Sequence, residues 1–392
     1  MVRGIFCHDL PVYKDINGEY CCTTLTDSVF KRYFSVVDEL VVATRLYQLD
    51  CTYSEAHQEK ITLNNIRFLN LPNLNKPQYI FTRMPSAKKI IRAEMRKCDL
   101  VFIRGGVIGL ISARIAKELG KKYLCESAGC AWDEYWHHSL SGKLIAPYME
   151  LNAKLNTRHA AYVVYVTEKF LQNHYPTEGI SAAVSDVVIS ELNEHVLEKR
   201  IRKIEERKEK QLWVIGTAAG LMTRLKGQQF VIEAISKLKN EVNIRYELAG
   251  TGDPSYLRSV AEKYRVEDRV VFKGEINHDE ILKWMDTLDT YIQPSMQEGL
   301  PRALVEAMSR GCPCIGSTAG GIPELLDEIA LFQRGDINAL VEKIREFYSF
   351  DWKNQAMRNF NRAKDFQESV LNDKREIIFK AYREDVMEGK LH

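Results

Sequence analysis

The sequence predicts an α/β protein with two doubly wound parallel sheets, each in a domain of its own. Short apolar runs typical of strands alternate with longer helical segments, and this βαβα order favours a parallel sheet covered by helices on both faces. The alternation is interrupted by a charged segment at residues 191–211 and then begins again. A chain of 392 residues is also long enough to bury two cores.

The first series of strands begins at residues 2–7, followed by a loop at residues 8–20 with turn chemistry at Asn17-Gly18. A helix is predicted over residues 23–33. The other strands predicted in this half cover residues 40–44, 61–69, 79–82, 98–103, 121–125, 161–166 and 183–189.

The second series repeats the pattern after residue 211. Strands are predicted over residues 212–217, 244–249, 270–273, 289–293, 313–316 and 330–333. Helices are predicted near residues 228–238, 254–264, 278–286, 301–310, 322–326 and 337–347, and the chain from residue 351 onwards is expected to be helical.

Composition indicates a cytoplasmic protein without a nucleic-acid partner. The net charge is only +2, so no strong basic field is present. The nine cysteines include no C-x-x-C pair, which favours a reducing compartment and no zinc site. The amino terminus is too polar for a signal peptide, and no apolar run is long enough to span a bilayer.

The most informative stretch is residues 294–324, PSMQEGLPRALVEAMSRGCPCIGSTAGGIPE. A strand ends before it, Pro301 is predicted at the first position of a helix, and Gly311 is predicted to close that helix. Unpaired N–H groups at such a helix start, on the carboxyl edge of a parallel sheet, favour anion binding. Glu298 and Glu306, with seven residues between them, frame this helix start.

Glu298, Glu306 and the following Gly320-Gly321-Ile322-Pro323-Glu324 resemble the donor-site signature of the family-4 retaining glycosyltransferases. The likeness covers most of residues 212–345, and residues 8–20 and 125–143 are similar to bacterial capsular or surface-polysaccharide transferases. It implies the GT-B fold, two Rossmann-like domains facing across a cleft. The implied domains are an acceptor domain (1–205), a donor domain (206–350) and terminal helices (351–392) that return to the first domain.

The resemblance implies a site for a nucleoside-diphosphate sugar, UDP- more than GDP-, without a metal or other cofactor. Glu298, Lys226 and Arg224 are the implied catalytic residues. Lys226-Gly227 matches the family pattern, whereas Gly220 stands where the family has an arginine, and Arg224 is the expected substitute. Two cations and a helix start can neutralise a departing diphosphate. The implied donor-binding residues are Gly299, Leu300, Pro301, Glu306, Gly252, Gly274, Glu275 and Ile276.

Glu306 has two interpretations. By resemblance it binds the ribose diol of the nucleotide, a role that acidic residues also have in dinucleotide sites. Alternatively, Arg302, Glu306 and Arg310 form a surface ladder at i, i+4 spacing.

The acceptor side departs from the family pattern. Ser127-Ala128-Gly129 stands where the family often has a histidine, so that role is not transferred. The candidates for the acceptor or the reacting centre are Gly18, Arg104, Glu126, Asp133 and His137. Glu126, Asp133 and His137 have the alternative of polar residues that cap loops.

A basic segment at residues 86–97, which Ser86 is predicted to cap, has two interpretations. An amphipathic helix of this kind can lie on an anionic membrane and would place the protein at its inner face. Alternatively it is a solvated helix whose apolar side packs on the sheet.

The leading hypothesis is a retaining, metal-independent hexosyltransferase that acts on a hydroxyl of a glycan or lipid-linked acceptor. Two alternatives stay open. One is a non-catalytic GT-B subunit that binds nucleotide or glycan for a partner enzyme, and the other is a GT-B epimerase of a free sugar nucleotide.

Overall fold

The structure is a computed structural model that describes residues 1–74, 77–138, 140–207, 211–349 and 352–389. The chain forms two compact units. Unit 1 comprises Met1–Val184 and Asn372–His392, and unit 2 comprises Ser185–Leu371.

The strands of unit 1 are β1 (Arg3–Cys7), β2 (Val12–Lys14), β3 (Tyr20–Cys22), β4 (Glu39–Thr44), β5 (Leu46–Gln48), β6 (Glu59–Lys60), β7 (Ile66–Asn70), β8 (Leu100–Arg104), β9 (Leu124–Ser127), β10 (Tyr162–Tyr165) and β11 (Ile180–Ala183). Seven of these strands form a sheet in which every neighbouring pair is parallel, in the order β11-β10-β9-β8-β1-β4-β7. The first helices of unit 1 are α1 (Asp27–Lys31), α2 (Pro77–Met95), α3 (Gly106–Glu118), α4 (Ala131–His138), α5 (Leu140–Arg158) and α6 (Phe170–His174).

Sequence reasoning missed a second, four-stranded sheet in unit 1, with the order β5-β2-β3-β6. Strand β2 lies inside the segment predicted as a loop, and it forms an antiparallel hairpin with β3, which begins at the last residue of that segment. Gly18 forms its turn with φ +85°, and the buried Asp15 carboxylate accepts hydrogen bonds from the backbone of Asn17 and Glu19. Strands of two or three residues are too short to show alternation in the sequence.

Helix α2 corrects two predictions. Residues 79–82, predicted as a strand, lie inside α2, and the helix continues through Pro85, so Ser86 is not its N-cap. Ala87, Ile91 and Met95 are buried in the unit 1 core. Core packing therefore accounts for the apolar side of the basic segment.

Unit 2 contains six strands: β12 (Trp213–Ala218), β13 (Ile244–Ala249), β14 (Val270–Gly274), β15 (Thr290–Gln293), β16 (Cys314–Ser317) and β17 (Leu331–Phe332). They form a parallel sheet with the order β14-β13-β12-β15-β16-β17. The helices of unit 2 are α7 (Glu194–Glu205), α8 (Gln228–Leu238), α9 (Ser255–Tyr264), α10 (His278–Thr287), α11 (Arg302–Ser309), α12 (Ile322–Leu325), α13 (Ile337–Tyr348) and α14 (Trp352–Ala363). Each predicted strand of this half overlaps an observed one.

The boundary between the units lies after residue 184, whereas the sequence placed it after residue 205. Helix α7 belongs to unit 2 because buried Arg200 donates hydrogen bonds to the carbonyl oxygens of Met285, Leu288 and Arg310. The density of charge in this segment of the sequence does not show that Arg200 is buried and bonded to unit 2. Residues 208–210, at the end of the charged segment, lie outside the described part of the chain.

The final helix, α15 (Glu368–Met387), brings the chain back to unit 1 from Asn372 onwards. Buried Tyr382 accepts a hydrogen bond from the Val101 N–H at 3.0 Å and donates to the Lys122 carbonyl at 3.1 Å. Helix α14 remains in unit 2, where Asn359 donates to the Cys312 carbonyl. The return therefore begins later than residue 351.

All nine cysteines are free thiols. Within the described ranges, no helix combines the length and apolar character needed to cross a bilayer.

Candidate functional site

The unit 2 sheet has its topological switch point between β12 and β15. From β12 the chain continues outward through β13 and β14, whereas from β15 it continues through β16 and β17 on the opposite side. In open parallel sheets, ligands bind outside the carboxyl ends of the strands at such a point. The loops that follow β12 and β15 carry Lys226 and Glu298 respectively, so the sheet order brings both predicted residues to this position.

Lys226 and Glu298 form an ion pair at this switch point. The Lys226 Nζ lies 2.7 Å from the Glu298 Oε1. The Glu298 side chain is 8% exposed and the Lys226 side chain 33%. A largely buried carboxylate is therefore paired with a cation that solvent, or a ligand, can still reach.

The Glu298 carboxylate is held in place by neutral donors as well as by lysine. Ser295 Oγ donates to Glu298 Oε1 at 2.7 Å, and Gln293 Nε2 donates to the same oxygen at 3.1 Å. Within the described part of the chain, all hydrogen bonds to this carboxylate go to Oε1. Oε2 therefore retains its capacity to accept a hydroxyl.

A buried phenol supports this network from below. The Tyr291 hydroxyl donates to Gln293 Oε1 at 2.9 Å, which orients the amide so that its nitrogen faces Ser295 and Glu298. Burial raises the pKa of Tyr291 well above its ordinary value, and the negative charges of Glu306 and Glu298 raise it further. Tyr291 therefore remains a neutral hydroxyl near both carboxylates.

Two glycines allow the loops of the site to approach one another. Gly227 has φ +75°, and a Cβ there would lie 1.9 Å from the Pro294 carbonyl oxygen. Gly320 has φ +55°, and a Cβ there would lie 2.0 Å from the Glu298 carbonyl oxygen. The Gly321 N–H donates to the Gly299 carbonyl at 2.8 Å. The Gly320-Gly321 pair therefore positions the backbone of Glu298.

Gly320→Ala is expected to destabilise the protein by about 1–3 kcal/mol, because alanine would need both a left-handed φ and a shifted Glu298 backbone. Gly220→Ala is the matched control, since a Cβ at Gly220 meets no heavy atom within 4 Å. Where the backbone suits alanine, the substitution is neutral or stabilises by about 0.4–1 kcal/mol. Urea denaturation measures both variants, and equal stability of the two would contradict this account of Gly320.

Helix α11 begins one residue later than predicted. Pro301 is its N-cap, with an extended ψ of 114°, and Arg302 is the first helical residue. Gly311 has the left-handed φ of +57° expected of a closing residue, and the Cys312 N–H returns to the Ala307 carbonyl. Gly299, Leu300 and Pro301 therefore form the approach to the helix start, directly after Glu298.

Glu306 is buried in α11 at 6% exposure, which disagrees with a surface ladder. Arg310 turns to Asp286 instead, with two hydrogen bonds of 2.8 and 2.6 Å. A carboxylate kept at this depth needs polar partners. The alternative of a solvated ladder with Arg302 and Arg310 is therefore wrong.

The other predicted donor residues lie around the same edge of the sheet. Arg224 is exposed, and its guanidinium lies 4.3 Å from the centre of the Tyr256 ring. Gly252, with φ +101°, packs against Met222. Gly274 has φ +73°, and its carbonyl accepts a hydrogen bond from the Gly250 N–H. Glu275 and Ile276 follow directly after Gly274. The structure thus pairs the Lys226 ammonium with the Glu298 carboxylate, whereas the Arg224 guanidinium lies over the Tyr256 ring.

In unit 1, Glu126 is committed to internal contacts. The Tyr33 hydroxyl donates to its Oε1 at 2.6 Å, while Arg32 and Arg104 approach its Oε2 at 2.7 and 3.3 Å. The carboxylate is buried at the end of β9. This arrangement ties the short helical turn after α1 to β8 and β9, and the Glu126 carboxylate is occupied by contacts within unit 1.

The remaining acceptor candidates are not brought together around Glu126. Arg104 contacts it, but Gly18 lies in the hairpin turn between β2 and β3. Asp133 lies in the first turn of α4. His137 belongs to the same helix, and its side chain lies outside the described part of the structure.

Asp9, which sequence reasoning passed over, lies just after β1. Its Oδ2 accepts the Ile108 N–H at 2.9 Å and so caps the start of α3, where Gly106 leaves room for the carboxyl. Burial raises the pKa of Asp9 to about 6, although the hydrogen bond from Ile108 and the charge of Arg45 lower it. The sequence offered one signal for this role, a carboxyl shortly after a predicted strand. The helix that Asp9 caps is distant in sequence, so the contact itself could not be predicted.

Asp9 predicts a pH dependence of stability. Since the folded pKa of Asp9 lies above its ordinary value of 3.8, the contribution of Asp9 to stability is full below that value and is lost as pH rises through about 6. Relative to Asp9→Asn, which can still accept from Ile108, the wild type should lose up to about 3 kcal/mol between about pH 4 and pH 7. Chemical denaturation across this range measures the difference. A pH-independent difference would contradict the assignment.

Unit 1 also contains a cluster of three side chains that could hold a metal ion, formed by Cys130, Glu150 and His174. His174 Nε2 lies 2.7 Å from Glu150 Oε1. Lys154 also pairs with that oxygen, while Tyr175 and the Trp132 N–H donate to the other. These contacts already balance the Glu150 charge and tie α4, α5 and α6 together, which explains the cluster without an ion.

Two parallel doubly wound α/β units, with a cation and two buried carboxylates at the switch point of the second, define a protein of the GT-B class. A family model described as "Glycosyl transferases group 1" matches residues 197–364. Protein CapJ of Staphylococcus aureus is 32% identical over 350 residues, covering 87% of this chain and 85% of that protein. The chain belongs to the group 1 glycosyltransferases.

Two further likenesses agree with this membership. The amylovoran biosynthesis glycosyltransferase AmsK of Erwinia amylovora is 34% identical over 130 residues, 30% of this chain and 32% of AmsK. The structure of Anabaena Alr3699/HepE in complex with UDP and glucose aligns with a TM-score of 0.61 and 15% identity, covering 99% of this chain and 100% of that one. At that identity the likeness concerns the fold alone.

Proposed function

We propose that the protein is a retaining glycosyltransferase that moves a sugar from a nucleoside-diphosphate sugar to a hydroxyl of a glycan or lipid-linked acceptor in polysaccharide biosynthesis. The observation that carries the proposal is the Lys226–Glu298 pair at the switch point of unit 2. Membership of the glycosyltransferase family supports the transfer, and AmsK, named for amylovoran biosynthesis, supports the biosynthetic role.

The two oxygens of Glu298 suggest a division of labour. Oε1 is occupied by Lys226, Ser295 and Gln293, and this fixes the carboxylate. Oε2 is then the oxygen that would accept a hydroxyl of the donor sugar. Because the carboxylate is held before the donor binds, little reorganisation is needed when it does.

The Lys226 ammonium would bind the diphosphate and keep its contact with Glu298 at the same time. The ammonium group has three donors, so one can stay on Glu298 and the others can reach phosphate oxygens. The backbone N–H groups at the start of α11 supply further donors for an anion. Glu306 would bind the ribose diol, and Arg224 would have to leave Tyr256 to add a second cation. This site supports transfer without a metal ion.

In the proposed reaction the bond from the anomeric carbon to the diphosphate oxygen breaks, and the bond from that carbon to the acceptor oxygen forms on the same face. The proton of the acceptor hydroxyl passes to the departing phosphate oxygen. The products are the glycosylated acceptor and a nucleoside diphosphate. This route requires no side-chain base, in keeping with the saturated contacts of Glu126.

The test is turnover of UDP-, GDP- and ADP-sugars by the full chain, with product analysis by nuclear magnetic resonance. We expect a UDP-sugar to react fastest, consistent with the UDP in the HepE structure, and the anomeric configuration to be retained. An inverted product would exclude the retaining mechanism. Binding of nucleotide without turnover of any donor or acceptor would favour a non-catalytic subunit, and isomerised donor without acceptor would favour an epimerase.

A further inference from the structure

Four large apolar or aromatic side chains lie exposed in a row on α5: Leu144, Tyr148, Leu151 and Leu155, here called the α5 stripe. Successive spacings of four, three and four residues place them on one face of the helix. Leu144 is 83% exposed and Leu151 is 56% exposed. A contiguous exposed apolar row of this kind indicates a surface that binds another protein or a membrane.

An aromatic pair lies beside the beginning of the α5 stripe. Lys143, which precedes Leu144, has its Nζ 5.6 Å from the centre of the Trp136 ring. Trp132 stacks on Trp136 with ring centroids 4.8 Å apart. Both indoles are half-buried, and indole and phenol rings favour the boundary between lipid and water.

The charge around the α5 stripe is positive. Lys143 is exposed, and the Nη2 of Arg114 donates to the Tyr148 hydroxyl at 3.1 Å. Within the described part of the chain, neither cation pairs with a carboxylate. The only acidic residue of α5, Glu150, is buried. Asp133 and Glu134 lie in the first turn of α4, before Trp136.

The positive charge around the α5 stripe decides between two binding partners, a second copy of the chain and an anionic membrane. A second copy of the chain would bring two basic helix faces together, and no carboxylate on α5 is exposed to compensate. An anionic bilayer matches both properties, because the leucines can enter the boundary of the acyl chains while the cations meet the phosphates. Helix α2, the other basic helix, has its apolar residues in the core and offers charge alone.

We propose that the α5 stripe docks unit 1 on an anionic membrane surface. The leucines supply the apolar area, Trp136 and Tyr148 lie at the interface, and Lys143 and Arg114 lie at the level of the phosphate groups. The inference does not rest on the proposed function, although docking would suit an acceptor carried by a lipid.

The test is co-sedimentation of the full chain with vesicles of phosphatidylcholine, with and without phosphatidylglycerol. Wild type should bind the vesicles that contain phosphatidylglycerol. Substitution of Leu144, Leu151 and Leu155 by serine should lower the partition coefficient by more than about tenfold. Ile377→Ser is the matched control, because Ile377 is 71% exposed on α15 of the same unit, and it should bind like wild type.

A second readout uses the tryptophans. Trp213, Trp284 and Trp352 are buried, so a blue shift of the emission on adding vesicles would report Trp132 and Trp136. The serine variant should lose this shift while circular dichroism and donor hydrolysis remain unchanged, which separates docking from the proposed chemistry.

Four outcomes would overturn the proposal. These are no binding of wild type to the anionic vesicles, equal binding of the serine variant, binding that requires Lys88 and Lys89 of α2 but not the leucines, and a wild-type dimer in sedimentation that the serine variant lacks.

Discussion

Glu298→Ala should lower kcat/KM for the donor by about 10²–10³-fold, the scale seen when one preorganised polar contact is removed from an active site. The change removes the oxygen proposed to accept a sugar hydroxyl. It also leaves Lys226, Ser295 and Gln293 without their shared acceptor. Initial rates at varied donor concentration measure the effect, with circular dichroism as a check on folding.

The matched control for Glu298 is Glu241→Ala, which removes a glutamate of unit 2 from an exposed pair with Arg345. Exposed pairs contribute about 0–1 kcal/mol, so this variant should keep the rate of wild type. Glu298→Gln can still accept from Ser295 but loses the charge that holds Lys226, and its rate should lie between those of wild type and Glu298→Ala. A folded Glu298→Ala variant with wild-type kcat/KM would contradict the proposed role.

Lys226→Met should reduce kcat by about 10³-fold, because it removes the cation closest to the proposed site of developing phosphate charge. The substitution keeps the length of the aliphatic chain and leaves Glu298 with Ser295 and Gln293. Binding of UDP should weaken as well, since the ground-state diphosphate also carries charge. Steady-state kinetics and calorimetric titration with UDP separate the two effects.

Lys353→Met controls for the loss of a lysine, because Lys353 forms a surface pair with Glu205 in unit 2. Arg224→Met should cost less than Lys226→Met, since Arg224 must first leave the Tyr256 ring. A larger effect at Arg224 than at Lys226 would mean that the two cations have been assigned in the wrong order.

Much of unit 2 could be predicted because its signals are local. Strands β12 to β16 are rich in apolar residues, Gly311 closes α11 shortly after its last helical residue, and Lys226-Gly227 and Glu298 lie in the loops that follow their strands. The neighbouring positions of β12 and β15 also follow from the order of strands in a doubly wound sheet. The polar network of Tyr291, Gln293 and Ser295 was missed because buried polar partners show no periodicity.

Unit 1 was harder to predict because its interactions join distant parts of the chain. Asp9 caps α3 about a hundred residues away, and Glu126 receives Arg32 and Tyr33 from another helical segment. The same long-range contacts explain why Glu126 looked like a free candidate in the sequence. In α2, Ser86 was predicted to cap a helix, yet α2 begins earlier and continues through Pro85 and Ser86.

A crystal structure of the full chain with a bound UDP-sugar tests the central claim most directly. The account predicts that the diphosphate lies within hydrogen-bond distance of Lys226 and the start of α11, with the ribose at Glu306 and a sugar hydroxyl at Glu298 Oε2. A nucleotide bound away from the β12–β15 edge, with neither Lys226 nor Glu306 in contact with it, would contradict the account.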